Sequence, residues 1–339
     1  MNKTILLGTL AAAGLAGAAA SAQTLNEVQS RGTLNCGVNT GVPGFAAPDA
    51  NGEWQGFDVA ICRAVAAAVL GDPEAVNFIS TTGKTRFTAL ASGEIDMLAR
   101  NTTWTFSRDT DLKFDFVAVN YYDGQGFIVP KALGVASATE LDGATICIQT
   151  GTTTELNLAD YFRVNNMSYE PVPIETEAEA RTQFLAGACD VYTTDRSALA
   201  SVRVTYPNPD DYVILPEVIS KEPLGPLVRH GDSEWADIVR WTYYALVAAE
   251  EYGVTQENVE QMASAPGDNP EVNRLLGTEG EMGAMIGLSN TFAKDAIAAV
   301  GNYGEIFARN IGDESPVGLA RGLNALYTEG GLQYAPPFR

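Results

Sequence analysis

Apolar positions along this chain fall into two rhythms, and the switches between them mark out its elements. Residues 34–38 form a short β-like apolar run, followed by a Gly/Pro-rich loop over 39–52. Phe57, Ile61, Val65 and Val69 then recur at helical spacing, which predicts a helix over 57–70 stopped by Gly71-Asp72-Pro73. A strand over 76–79, a helix over 85–92 and a strand over 95–99 come next. Short strands alternating with helices indicate an α/β lobe built on a mostly parallel sheet.

A second series begins after Tyr121-Tyr122-Asp123-Gly124-Gln125-Gly126. The pattern predicts a strand over 145–149, helices over 153–162 and 178–186, and a strand over 191–193. A short helix over 196–202 and extended segments over 213–215 and 224–228 complete it. The two series share a rhythm without a sequence repeat, so two lobes of like architecture are expected. A long helix over 233–251 carries Trp235, Ile238, Val239, Trp241, Thr242, Ala245 and Leu246 on its apolar side. Residues 253–339 hold helix-like pieces broken by Gly and Pro, a pattern that suits a structural cap on the first lobe better than a catalytic unit.

The N-terminus changes the picture of where the chain works. Lys3 precedes an apolar Ala/Gly-rich run over 5–20, and Ala20-Ser21-Ala22 supplies a small-x-small cleavage pattern. Residues 1–22 therefore read as a signal peptide, with the mature chain beginning at Gln23. The run is short and Gly-interrupted for a span of about 20 residues. No lipobox cysteine follows it, so a soluble secreted protein is expected. The remainder exceeds the ~100–200 residues of one domain. A net charge of −21 with a single histidine excludes nucleic acid as a partner, because phosphate binding needs basic clusters. The acidity serves solubility and does not identify a ligand.

Four cysteines in a secreted chain read as two disulfides. Three pairings are open. Joining sequence neighbours, Cys36 to Cys62 and Cys147 to Cys189, gives one bridge per lobe and is favoured, since the other two pairings tie the lobes together. A zinc site is the competing reading, but there is no C-x-x-C and no second histidine, so no metal is expected.

Three stretches carry candidate chemistry at strand ends, where open α/β sheets bind ligands. The first runs from Arg100 through Asn101, Thr102 and Thr103 to Arg108, a hydroxyl-rich loop leading to a guanidinium; alternatively Arg108 merely pairs with Asp109 or Asp111 on the surface. In the second, residues 149–155, Gly151 leaves a strand and Thr152 and Thr153 open a helix. Its free N–H groups favour an anion, though an ordinary N-cap would look the same. The third is Tyr192-Thr193-Thr194-Asp195-Arg196, where Asp195 either caps the next helix or accepts from an ammonium.

Read together, the ordered motifs GFDVAICRAVA, FTALASGEIDML, the Thr103–Arg108 loop, YYDGQGFIV, ATICIQTGTTTE and YTTDRSAL resemble the polar amino-acid-binding receptors of ABC importers. The likeness is nearest to the general L-amino-acid receptor subgroup and covers nearly the whole mature chain. It implies the type II periplasmic-binding-protein fold: mixed or parallel sheets in each of two lobes, a two-strand hinge and a helical C-terminal extension. On that pattern, lobe 1 spans 23–122 and 226–252, lobe 2 spans 123–225 with hinge segments at 123–126 and 218–225, and 253–339 packs on lobe 1. The resemblance further implies a periplasmic monomer without cofactor that takes a free L-amino acid and hands it to a membrane permease by hinge closure.

Carried over residue by residue, Arg108 matches the clamp on the ligand α-carboxylate, and Thr103 and Asn101 match loop positions that add hydrogen bonds. Thr152 and Thr153 match the helix opening that closes on the carboxylate, and Asp195 matches the acceptor of the α-ammonium. Arg86 matches an arginine near the side chain in acidic-amino-acid receptors. Two departures stand out. Val42-Pro43-Gly44 replaces a stacking aromatic, with Phe45 nearby in a possible core position. Arg100 stands where small residues are common. Arg86 and Arg100 point to a carboxylate or amide side chain, as in glutamate, glutamine, aspartate or asparagine; internal pairing with Asp96 or Asp195 is the alternative. Two rivals remain on the same fold: a periplasmic enzyme (a dehydratase or a lytic enzyme) and an amino-acid chemosensory binding protein. Against the first, His230 has no base partner legible in the sequence and no G-x-S-x-G is present, which leaves Glu155 as the candidate acid.

Overall fold

The computed structural model describes residues 23–339; the leader expected over 1–22 lies outside the described residues. The chain opens with α1 (Gln23–Arg31), β1 (Leu34–Val38), a small hairpin of β2 (Ala47–Pro48) and β3 (Trp54–Gln55), and α2 (Phe57–Leu70). It continues with β4 (Val76–Ser80), α3 (Arg86–Ser92), β5 (Met97–Leu98), α4 (Phe106–Thr110) and β6 (Phe114–Phe116). A first crossing, β7 (Tyr121–Asp123), leads to β8 (Gln125–Pro130), β9 (Ala144–Gln149), α5 (Thr153–Val164), β10 (Tyr169–Ile174), α6 (Glu177–Leu185), β11 (Val191–Asp195), α7 (Arg196–Arg203) and β12 (Tyr212–Ile214). The chain returns through β13 (Glu222–Leu224) to β14 (Leu227–Arg229) and α8 (Ser233–Glu251), then α9 (Val259–Ser264), α10 (Pro270–Leu275), α11 (Phe292–Val300) and α12 (Tyr303–Asn310).

Two five-stranded sheets result, ordered β4-β1-β5-β14-β6 and β10-β9-β11-β8-β12. Each has three parallel strands followed by two that run against their neighbours. In each sheet the first antiparallel strand, β14 or β8, arrives from a crossing. The crossings themselves pair as a two-stranded ribbon, β13 against β7, with Glu222 opposite Asp123 and Leu224 opposite Tyr121. The run expected over 224–228 is thus two strands in different sheets. Gly225-Pro226 breaks it, and at Gly225 a Cβ would collide with the Ala118 carbonyl.

The periodicity located α2 and α8 well because their cause is local. The sequence reading missed α1, β2, β3, α4, β6, β8 and β10. Strand β10 carries Pro171 and Pro173, which disfavour a strand, yet it sits at the sheet edge where missing donors do no harm. Helix α2 is buried on almost every side, which explains its nearly continuous apolar sequence. One face lies on the first sheet, and its alanines let α11 approach closely through Ala293 and Ala296. Phe45 packs edge-on against Phe57 (6.0 Å) and Tyr121 (5.6 Å) and belongs to this core. The disulfides are Cys36–Cys62, joining β1 to α2, and Cys147–Cys189, joining β9 to the approach of β11.

Candidate functional site

The carboxyl ends of β1, β5, β9 and β11 converge between the two sheets, at the point where the strand order of each turns around. A cavity lies there, lined by Asn39, Val42, Arg86, Arg100, Asn101, Thr103, Gln149, Thr152, Thr153, Thr154, Glu177, Thr194, Asp195 and Ala198. Such crevices are where open α/β sheets bind ligands, since the loops there are free to carry chemistry.

The wall from the first half is built by backbone geometry. Asn101 holds a left-handed φ of 42°, and its N–H donates to Asp58 Oδ2 (3.3 Å) at the start of α2. Arg86, 2 % exposed, donates from Nη1 to Thr102 Oγ1 and from Nη2 across the cleft to the Gly151 carbonyl, both at 3.3 Å. Arg100 Nε donates to the Thr81 carbonyl (2.9 Å). Arg108 Nη1 donates to the Thr103 carbonyl (2.8 Å), so its guanidinium stands behind Thr103 and is not itself in the cavity wall.

The wall from the second half comes from two helix openings. Thr152, at the N-cap of α5, turns its hydroxyl onto the Gln149 carbonyl (2.7 Å), which leaves the first N–H groups of the helix without a side-chain cap. Asp195 sits at the N-cap of α7 but makes no capping bond there; Asp123 Oδ2 instead accepts from Ser197 N (3.2 Å). The capping alternative for Asp195 therefore falls, because a second carboxylate already serves the helix. Sequence reasoning passed over Glu177, which opens α6 and accepts from the Tyr192 hydroxyl (2.7 Å). Gln149 was noticed only as part of its stretch. Neither has a sequence signal: a helix-opening glutamate and a strand-end glutamine are common.

Among the described residues, no carboxylate lies within ion-pairing distance of Arg86, Arg100 or Arg108. The internal pairs weighed for them are absent. Asp96 pairs with Arg31, and Asp109 accepts from Trp104 Nε1 (2.7 Å). Burial pushes Arg100 and Arg108 down to about 10, and drives Arg86 well below the usual range with help from Arg100 and Arg108 beside it. Burial likewise raises the acids: Asp195 well above its normal range, with Asp123 and Glu222 adding to the push, Glu177 upward, and Asp123 to about 6. Arg86 and Arg100 from one half, and Glu177 and Asp195 from the other, thus bring basic and acidic groups without ion-pair partners to one cavity. Arg86 Nε, both amide atoms of Asn101 and Gln149 Nε2 are buried there without a protein hydrogen-bond partner. A polar molecule carrying anionic and cationic groups would satisfy all of them.

The groups considered for catalysis lie elsewhere. Glu155 is exposed and accepts from Gly151 N (3.1 Å). His230, for which the sequence offered no partner, faces Asp115 Oδ1 at 3.0 Å on the surface, outside the cavity. Strand pairing of β14 with β6 brings those two together. No cluster of three or more metal-binding side chains occurs among the described residues.

Residues 34–258 match the family of bacterial extracellular solute-binding proteins, family 3. The glutamate/glutamine/aspartate/asparagine-binding protein BztA of Rhodobacter capsulatus is 67% identical over 339 residues, covering all of both chains. The general L-amino acid-binding periplasmic protein AapJ of Rhizobium johnstonii is 59% identical, again over the full length of each. Among solved structures, an ABC transporter periplasmic binding protein from Brucella ovis with glutathione bound superposes with a TM-score of 0.91 at 57% identity, covering 93% of this chain and 99% of that one.

Proposed function

The chain belongs to the bacterial extracellular solute-binding proteins, family 3, with the two-lobed type II fold, and on that premise we propose that it captures free L-amino acids and delivers them to an ABC-type permease. The reading rests on one observation above all: a cavity between the halves whose unpaired charges and unpartnered polar atoms match the two ends of a zwitterion. The helix N–H groups at Thr152 and Thr153 receive the α-carboxylate together with Arg108, whose guanidinium must turn from its place behind Thr103 to reach it. Asp195 receives the α-ammonium, and Thr103 and Asn101 complete the shell. Arg86, Arg100, Gln149 and Glu177 remain for a side chain ending in an amide or a carboxylate. Glutamate, glutamine, aspartate and asparagine fit that set.

The β7–β13 ribbon serves as the hinge. The halves open and close about it, and ligand shifts the population toward the closed form that the permease recognises. The protein acts as a monomer in the periplasm after removal of residues 1–22, without nucleic acid. It performs no chemistry on its ligand, in keeping with relatives named for binding.

A thermal-shift screen against the twenty L-amino acids tests the reading, since a ligand that binds only the native state raises its melting point. The four named amino acids should give the largest shifts, and each should be recovered chemically unchanged after incubation. No shift with any of the twenty would sink the proposal.

A further inference from the structure

Glu222 lies on the return crossing β13, opposite Asp123. It is 1 % exposed and does not line the cavity. Among the described residues no cation comes within ion-pairing distance of it. Four neutral donors hold its carboxylate instead. Ser220 Oγ (2.6 Å) and Asn157 Nδ2 (2.7 Å) reach Oε1. Thr153 Oγ (3.0 Å) and Thr103 Oγ reach Oε2. A buried carboxylate is tolerated only when its lone pairs are filled in this way.

The last two donors come from opposite halves of the molecule. Thr103 belongs to the loop after β5, and Thr153 is the first residue of α5; both line the cavity, and their hydroxyls lie 3.2 Å apart, within hydrogen-bonding reach of each other, but a carboxylate is the stronger acceptor and takes both protons. A hydroxyl has one proton and two acceptor lone pairs, whereas an ionised carboxylate only accepts. Once each threonine gives its proton to Oε2, the side it keeps toward the cavity can only accept.

We propose that Glu222 is a positioning residue for ligand capture. By taking the protons of Thr103 and Thr153 together, it presents to the cavity a pair of acceptors that admits an ammonium and repels a carboxylate. The inference rests on the amino-acid reading above and deepens it: the ligand's cationic end sits between the halves, beside Asp195, and its carboxylate must find backbone N–H groups and guanidinium instead. The same two bonds exist together only when the halves are shut, so Glu222 also couples the hydroxyls' polarity to closure.

The test compares wild type, Glu222→Gln and Thr153→Val by calorimetry with L-glutamate and L-glutamine and with glutarate and glutaramate, which lack the α-amino group. Wild type should bind the amino acids and reject the deaminated analogues. In Glu222→Gln the amide can itself donate, which frees the hydroxyl protons. Amino-acid affinity should then fall at least about tenfold, the size of one lost charge-assisted hydrogen bond, while the preference over the deaminated analogue shrinks. A merely structural role would lower both affinities alike and leave that ratio unmoved. Thr153→Val, which removes one of the two hydroxyls, should narrow the ratio in the same direction, and it carries the test if Glu222→Gln does not fold. An unchanged ratio in the folded variants overturns the inference and leaves the receptor reading intact; a wild type that binds neither amino acid overturns both.

Discussion

At the scale of single residues, the site is governed by charges that the fold buries without pairing. Asp195 makes the consequence measurable. Burial, together with Asp123 and Glu222 nearby, favours its protonated form in the empty cavity, while an arriving ammonium favours the carboxylate. Binding should therefore release a proton, and affinity should rise with pH until Asp195 is ionised beforehand. Calorimetry in phosphate and Tris buffers would show this as an apparent enthalpy that depends on the buffer, an effect expected to vanish in Asp195→Asn. Arg108→Ala should weaken amino-acid binding by about 100-fold or more, since removing one partner of a buried charge pair costs roughly 2–5 kcal/mol. An Arg108→Ala protein that binds as wild type does would refute the carboxylate assignment. Asp58 acts on stability instead. Burial raises it to about 7, so the native state holds a proton that the unfolded chain has already lost above about pH 4. Its contribution is fully present at acid pH and disappears as pH climbs to about 7. Urea unfolding at pH 5 and 7 should show this fall, and Asp58→Asn should flatten it.

At the scale of elements, the two disulfides and the C-terminal extension fix what the hinge is attached to. Cys147–Cys189 closes 42 residues of sequence separation, for which the chain-entropy argument gives about 4 kcal/mol. Replacing both cysteines by serine should lower denaturant stability by roughly 2–4 kcal/mol, with the loss confined to the half built on β8–β12. The extension reaches the hinge directly. Asn324 accepts from Tyr122 N (2.7 Å) and donates to the Tyr122 carbonyl (3.2 Å), so a side chain completes the outer edge of β7 as a strand would. Arg321 grips Glu250 on α8 with two bonds of 2.8 and 3.1 Å, which anchors that turn. Tyr303 adds a bond to the Asn120 carbonyl (2.9 Å). The extension is thus bound to the base of the hinge ribbon.

At the scale of the whole molecule, the halves meet closely enough to leave a mark on the sequence. Gly83, before α3, faces Thr150 and Gly151 across the cleft. A Cβ there would lie 2.6 Å from the Thr150 carbonyl oxygen and 3.2 Å from Thr152 Cγ2. Its φ is not in the left-handed region, so a side chain strains only the closed arrangement. Gly83→Val should keep the halves apart, weaken ligand binding by about tenfold or more, and leave each half folded. Small-angle scattering would show wild type compacting on ligand addition and the variant failing to do so; equal compaction in both would refute this seam.

The sequence by itself determined the alternation of strands and helices, the limits of α2 and α8, and the three loops that furnish most of the cavity. These follow from local causes: helical periodicity, stop signals, and functional loops placed after strands. Only the tertiary structure decided that Asp123, and not Asp195, caps α7, that Arg108 stands behind Thr103, that the cysteines pair within each half, that Glu177 and Gln149 line the cavity, and that Glu222 is held by donors from both halves. Each of those facts depends on which residues from distant segments share a buried volume. A carboxylate on a hinge strand looks in sequence like any surface acid, because what gives it a role is the loss of water around it and the donors brought from both halves.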